Sequence, residues 1–227
     1  MREVVLLQGG LDKAKLPPHL KNIRDLGKKC PRFKEIFGDD FYVVDTFGHG
    51  SCFFHSIAEA VCPEYDWIHN SRTRESLGLR LRKSFLKYSN EQLYKEAMEQ
   101  TTVRLAALKK KSCKAPSMPE IPSYAVFQRK LGTPSVWADL VLISYISAIF
   151  NMNLVFFDDT VCELYFGASR FEAKEDVPTI FINWHSHRHF ELIVRINDSR
   201  VERQFFYPKH KAIIDRVAKA YNQAGRV

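Results

Sequence analysis

Apolar side chains change their spacing partway along the chain. Between residues 71 and 131 they recur three and four apart, the period of a helix face. Leu77, Leu81 and Phe85 predict a helix from Ser71, read as its cap, to about Tyr88. Leu93, Ala97, Val103 and Leu108 predict a second from Asn90 to about Lys109, and Tyr124 to Leu131 a short third. Gly132-Thr133-Pro134 then restarts the chain into a helix around Trp137. From residue 154 the apolar residues come in dense β-branched and aromatic runs. These predict strands at Leu154 to Phe157, Val161 to Phe166, Pro178 to Asn183, Phe190 to Ile196 and Val201 to Phe206. Ahead of all of them, Phe41 to Val44 predicts one strand, followed by an apolar helix from Phe53 to Val61. Helices first and strands later, with few alternating units, give an α+β class: a small, mostly antiparallel sheet sandwiched between helices.

The ends read differently. Residues 1 to 17 carry no pattern and run into Pro17-Pro18, as an arm does, and His19 to Lys29 and Pro31 to Phe37 read as two short helices. Lys209 to Tyr221 reads as an amphipathic helix with Ile213, Ile214 and Val217 on one side. The organisation expected is an arm with short helices at 1–38, a main domain at 39–207 and a terminal helix at 208–227. Residues 109 to 122, with three prolines and a lysine run, read as an exposed connector.

Composition narrows this picture. With 227 residues, 45% hydrophobic and 26% charged, the chain has the makeup of a soluble globular domain with a full core. No apolar run follows the Met-Arg-Glu start, so no secretory signal is read. Val136 to Phe157 approaches membrane-spanning length, but Asp139, Ser144, Ser147, Asn151 and Asn153 interrupt it, and a buried helix followed by a core strand accounts for it. Five cysteines, with no paired spacing, read as reduced thiols in a cytoplasmic setting. The net charge of +8 permits nucleic-acid contact without specifying it, and the arginines at 72, 74, 80 and 82 with Lys83 read as a solvated helix face.

Cys52 changes the picture most. It falls where the loop after the first strand enters the apolar helix, with Gly48 and Gly50 permitting tight turns just before it. Helix-start amides and the dipole favour a thiolate, the nucleophilic form, and amides of His49, Gly50, Ser51 and Cys52 are placed to converge on an oxyanion. The base is read at His189, which opens a strand. Glu191, two residues on, shares its face and is expected to orient the imidazole, with Asp45 and Asn183 as alternatives for that third position. His185, His187 and His189 alternate as zinc ligands do, but without a clear fourth ligand the reading is no metal, with His185 and His187 in the loop before the strand. Trp184 and Phe190 are read as lining a substrate channel. Cys30, Cys62, Cys113 and Cys162 are read as structural or surface thiols.

These residues resemble the OTU (ovarian-tumour) cysteine proteases. Gly50-Ser51-Cys52-Phe53-Phe54 with Ser56 matches the family's cysteine motif, Trp137-Ala138-Asp139-Leu140 its tryptophan motif, and His189-Phe190-Glu191-Leu192 its histidine motif. The resemblance covers roughly residues 40 to 196 and keeps the order of the three motifs. Two positions depart: His49 stands where the family usually has Asp, and Glu191 where it often has Asp or Asn.

The resemblance implies a papain-like OTU fold and a deubiquitinase that needs no cofactor. Its substrate would be the isopeptide or peptide bond after the C-terminal glycine of ubiquitin or a ubiquitin-like modifier, reached through a narrow, glycine-tolerant channel. It would act in the cytoplasm, or in host-cell cytoplasm if the chain is that of a virus or an intracellular bacterium. The competing readings are a catalytically silent ubiquitin-binding scaffold of the same family and a basic nucleic-acid-binding protein.

Overall fold

The computed structural model describes residues 23–48, 50–62, 65, 68, 70–111, 120–133, 138, 140–165, 175–197 and 200–224. The arm at 1–17, Trp137, Asp139, His49, Cys113 and most of the 109–122 connector lie outside the described residues.

The strands are β1 (Ile23–Arg24), β2 (Phe41–Val44), β3 (Asn153–Asp158), β4 (Glu163–Tyr165), β5 (Thr179–His185), β6 (His189–Asn197) and β7 (Arg200–Glu202). They form one sheet in the order β1-β2-β6-β5-β3-β4, with β7 also pairing with β6. Among the described strands, only the β3–β5 pairing is parallel. The helices are α1 (Pro31–Ile36), α2 (Cys52–Val61), α3 (Ser71–Lys87), α4 (Glu91–Lys111), α5 (Tyr124–Leu131), α6 (Leu140–Ile149) and α7 (Lys211–Ala224).

Strand alternation sends side chains into two cores. Phe190, Leu192, Val194 and Ile196 of β6 join Phe53, Phe54 and Ile57 of α2 and residues of α3 to α6 on one face. Ile193 joins Phe33 of α1 and Ile213, Ile214 and Val217 of α7 on the other. β3 is buried on both faces, Leu154 and Phe156 to one core and Val155 and Phe157 to the other. That is why its sequence is a continuous apolar run rather than an alternation. Each such side chain contributes about 1.5–3 kcal/mol through burial. The α+β class and the helix–sheet–helix layering follow from these two cores.

Caps set the helix starts. The Asn70 side chain accepts from Thr73 N, so the cap of α3 lies one residue before the Ser71 expected from the sequence. Asn90 Oδ1 accepts from Leu93 N at 3.0 Å and Ser123 Oγ from Val126 N at 3.4 Å.

Three expectations are corrected. The described part of His19 to Lys29 is strand β1 followed by a 3-10 turn at Leu26–Lys28, because Ile23 pairs with Val44 and the Asp25 side chain accepts from Gly27 N at 2.8 Å. The last strand ends at Glu202; Phe205, beyond it, returns as a single bridge to Thr179. Cys30 and Cys162, read as thiols, form a disulfide between residues 132 apart in the chain, a pairing the fold makes and local spacing hides. Cys52 and Cys62 are not disulfide-bonded. No described helix is long and apolar enough to cross a membrane; the 136–157 stretch resolves into α6 followed by β3.

Candidate active site

The strand β2 lies antiparallel to β6, with Val44 opposite Leu192. Beyond Val44 the chain keeps to the side of β6, because the Thr46 hydroxyl donates to the Phe190 carbonyl. Asp45 is thereby carried up to His189. His189 Nε2 lies 3.2 Å from Asp45 Oδ1 and 3.1 Å from the Thr46 carbonyl oxygen. After Thr46 the backbone turns through Gly50, at φ +76°, and Ser51 leads into α2 at Cys52. Ser56, one turn into α2, donates to the Cys52 carbonyl at 3.0 Å and lies 3.4 Å from Thr46 Oγ1, tying the helix start to the same segment.

These ties bring the sulfur to the imidazole. The Asp45 carboxylate, hydrogen-bonded to the His189 ring, and the nearby Cys52 sulfur raise the His189 pKa to about 10, against the opposing pull of burial. The same bond holds the Asp45 carboxyl below its ordinary value. Cys52 is only 5% exposed.

Of the three residues considered for the third position, Asp45 makes the hydrogen bond to His189. Glu191 does share the face of His189, as strand alternation requires, but its carboxylate is taken by the Arg24 guanidinium and by Asn183 Nδ2, the latter at 2.8 Å. Asn183 pairs directly across from Glu191 on β5 and is fully buried. Burial raises the Glu191 pKa, opposed by its bond to Asn183 and the charge of Arg24. Among the described residues, Asp45, His189 and Glu191 are close enough to share a cation, with ligand atoms within 4.8 Å of one another. Asp45 and His189 meet each other there, and Glu191 Oε2 meets Arg24 and Asn183.

His185 stands directly across from His189 in the β5–β6 register, but its ring and that of His187 meet other carboxylates. Of the two, expected together in the loop, His185 ends β5 and His187 lies in the turn of the β5–β6 hairpin, where Ser186 and His187 take positive φ of 51° and 56°. Non-glycine residues hold that conformation only when their surroundings fix it. Here His185 Nδ1 meets Asp159 Oδ2 at 2.5 Å, Ser186 N donates to Asp159 Oδ1 at 3.1 Å, and His187 Nε2 meets Asp158 Oδ2 at 2.5 Å. Trp184 is half-buried, stacked parallel to Phe190 with centroids 6.1 Å apart and against His187 at 4.6 Å. Phe190, expected in the channel, is 4% exposed and belongs to the core with Phe53 and Phe156.

One residue beside the site corrects the surface reading of α3. Arg82 is fully buried. It donates to the Gly50 carbonyl at 2.5 Å through Nη2 and to Ser51 Oγ at 3.2 Å through Nε, and its guanidinium lies 4.5 Å from the centre of the Phe54 ring. Burial lowers its pKa to about 10, opposed by the charge of Cys52. The signal was in the spacing: Gly78, Arg82 and Phe85 are the buried positions of α3 and stand at i, i+4 and i+7.

No protein-family model matches the chain, and neither does any curated protein. Among solved structures it is similar, over 84% of its length and 92% of the other chain, to one described as "Structure of Ovarian Tumor (OTU) domain in complex with Ubiquitin", with a TM-score of 0.41 and 11% sequence identity. A likeness of that size carries no chemistry across, which rests on the residues themselves.

Proposed function

We propose that this chain is a thiol hydrolase of the deubiquitinase type, cleaving the isopeptide or peptide bond after the C-terminal glycine of ubiquitin or a ubiquitin-like modifier. The observation that carries the reading is His189 held between the Asp45 carboxylate and the Cys52 sulfur. The substrate class comes from the three motifs in the sequence.

Nε2–H of His189 donates toward Asp45 and the Thr46 carbonyl, which fixes the ring and leaves Nδ1 to serve the sulfur. With its pKa raised, the imidazole rests protonated beside the Cys52 sulfur at neutral pH. Cys52 Sγ attacks the glycine carbonyl, and the oxyanion is received by amides of the Gly50–Cys52 turn. Collapse breaks the C–N bond, His189 gives its proton to the departing amine, and a thioester remains on Cys52. Water, deprotonated by His189, hydrolyses the thioester and restores thiolate and imidazolium. Asp45 holds the ring in place throughout.

Ubiquitin carrying a C-terminal propargyl or vinyl electrophile tests this. The chain is expected to form one adduct, on Cys52, absent in Cys52→Ala and His189→Ala. Parallel probes built on ubiquitin-like modifiers select among substrates. A folded chain that forms no adduct with any of them overturns the reading.

A further inference from the structure

The helix α3 touches the nucleophile turn through two residues one helical turn apart. At Gly78 the contact is so close that an added Cβ would lie 2.7 Å from His55 Nε2 and 3.0 Å from Ser51 Cβ. At Arg82 a buried guanidinium reaches the Gly50 carbonyl, the Ser51 hydroxyl and, at 3.4 Å, the Leu131 carbonyl of α5. Burying a guanidinium costs free energy that surface arginines avoid, and here the bonds that offset it go to the two residues before Cys52.

Those bonds have two geometric effects. Carbonyl and N–H of a trans peptide point in opposite directions, so fixing the Gly50 oxygen on Arg82 turns the Ser51 N–H away from α3. A serine before a helix ordinarily caps it by accepting from an amide of the first turn. Ser51 makes no such bond, and its oxygen accepts from Arg82 instead. The first-turn amides of α2 therefore have no serine oxygen on them.

We propose that Arg82 is a positioning residue for the thiol chemistry: from the buried face of α3 it sets the Gly50–Ser51 turn and withholds the Ser51 hydroxyl from capping α2, so that the amides around Cys52 face the reacting carbonyl. The proposal rests on the reading of Cys52 as the nucleophile. The guanidinium is also a fixed cation in electrostatic contact with Cys52.

Arg82→Met and Arg82→Lys separate geometry from charge. The first readout is kcat and KM on a ubiquitin C-terminal amide. The second is the rate of Cys52 alkylation by iodoacetamide at pH 7 and pH 10, followed by peptide mass spectrometry. Arg82→Met is expected to lower kcat about 10- to 100-fold, short of the roughly 10²- to 10³-fold cost of a deleted oxyanion donor, with KM within about twofold. Its alkylation at pH 7 should slow about tenfold and recover at pH 10, because the thiolate has lost a neighbouring cation. Arg82→Lys, which keeps the charge but not the fork, should alkylate like the parent while kcat still falls.

If Arg82→Met does not fold, as judged by circular dichroism, Arg82→Lys carries the test. A folded variant with parental kcat and parental alkylation at both pH values overturns the proposal. Failure of the functional reading is distinct: a parent chain that ubiquitin probes do not label, but whose Cys52 alkylation still depends on Arg82, loses the substrate and keeps Arg82's hold on the thiol.

Discussion

Two histidine–aspartate groupings stand at the same end of the sheet, and they differ in what else touches the ring. At the hairpin tip, His185 and His187 each meet one carboxylate, from Asp159 just after β3 and Asp158 at its end. The result is a clasp that fixes a turn with two positive-φ residues. A few residues away His189 also meets a carboxylate, but its ring is shared with a sulfur and lies beside a helix start. A paired imidazole is thus structural or chemical according to its second neighbour, and the alternation of His185, His187 and His189 in the sequence conceals the division.

The contrast breaks most visibly at the rings. His189→Gln should lower kcat about 10²- to 10⁴-fold, the usual worth of a general acid–base, whereas His187→Gln should leave turnover nearly intact and lower the melting temperature. Equal losses in kcat would erase the division.

Asp45→Asn comes next and is read in the pH profile of kcat/KM. The alkaline limb of the parent should lie near the His189 value of about 10, where the imidazolium is lost. Removing the carboxylate should bring that limb down by about 1–3 units. The same group sets a stability term. His189 is raised when folded, so its contribution is complete below the ordinary histidine value of about 6.5 and is lost as pH rises through about 10. Asp45→Asn should narrow that window in thermal melts at successive pH values.

Asp159→Asn sharpens the clasp side. Burial pushes the Asp159 carboxyl up, but the bonds from His185 and the Ser186 amide overcome it and leave the group below its ordinary value. Its stabilisation is therefore present above about pH 3.9, the ordinary aspartate value, and is lost as pH falls through the folded value. The substitution should cost about 1.5–3 kcal/mol in denaturant unfolding at pH 7, with a smaller cost toward acid. Glu191→Gln should give the smallest change in kcat, well under that of Asp45→Asn, since its carboxylate serves Arg24 and Asn183 rather than the His189 ring.

Legibility from the sequence followed the range of the forces involved. The strand Phe41–Val44, the helix beginning at Cys52 and the helices over residues 71–87 and 124–131 were readable because periodicity and caps act within a few residues. Cys52 and His189 could be singled out as candidates through their local settings. The Cys30–Cys162 bond, the pairing of Ile23 with Val44 and the Asp159 clasp on His185 join segments that are distant or of indifferent composition, so no window on the chain contains them. The third position was narrowed to Asp45, Glu191 and Asn183, but choosing among them needed the Thr46–Phe190 tie and the Arg24 ion pair, both set by register. Arg82 was misread because charge outweighed phase: it stands on the buried stripe, four residues after Gly78.

The pairing of β2 with β6 also sets a schedule. Translation delivers Cys52 some 137 positions before His189, so a nascent chain that has not yet released β6 carries the sulfur without its partner. The proposed chemistry would then have to wait until the later strand docks against the earlier one.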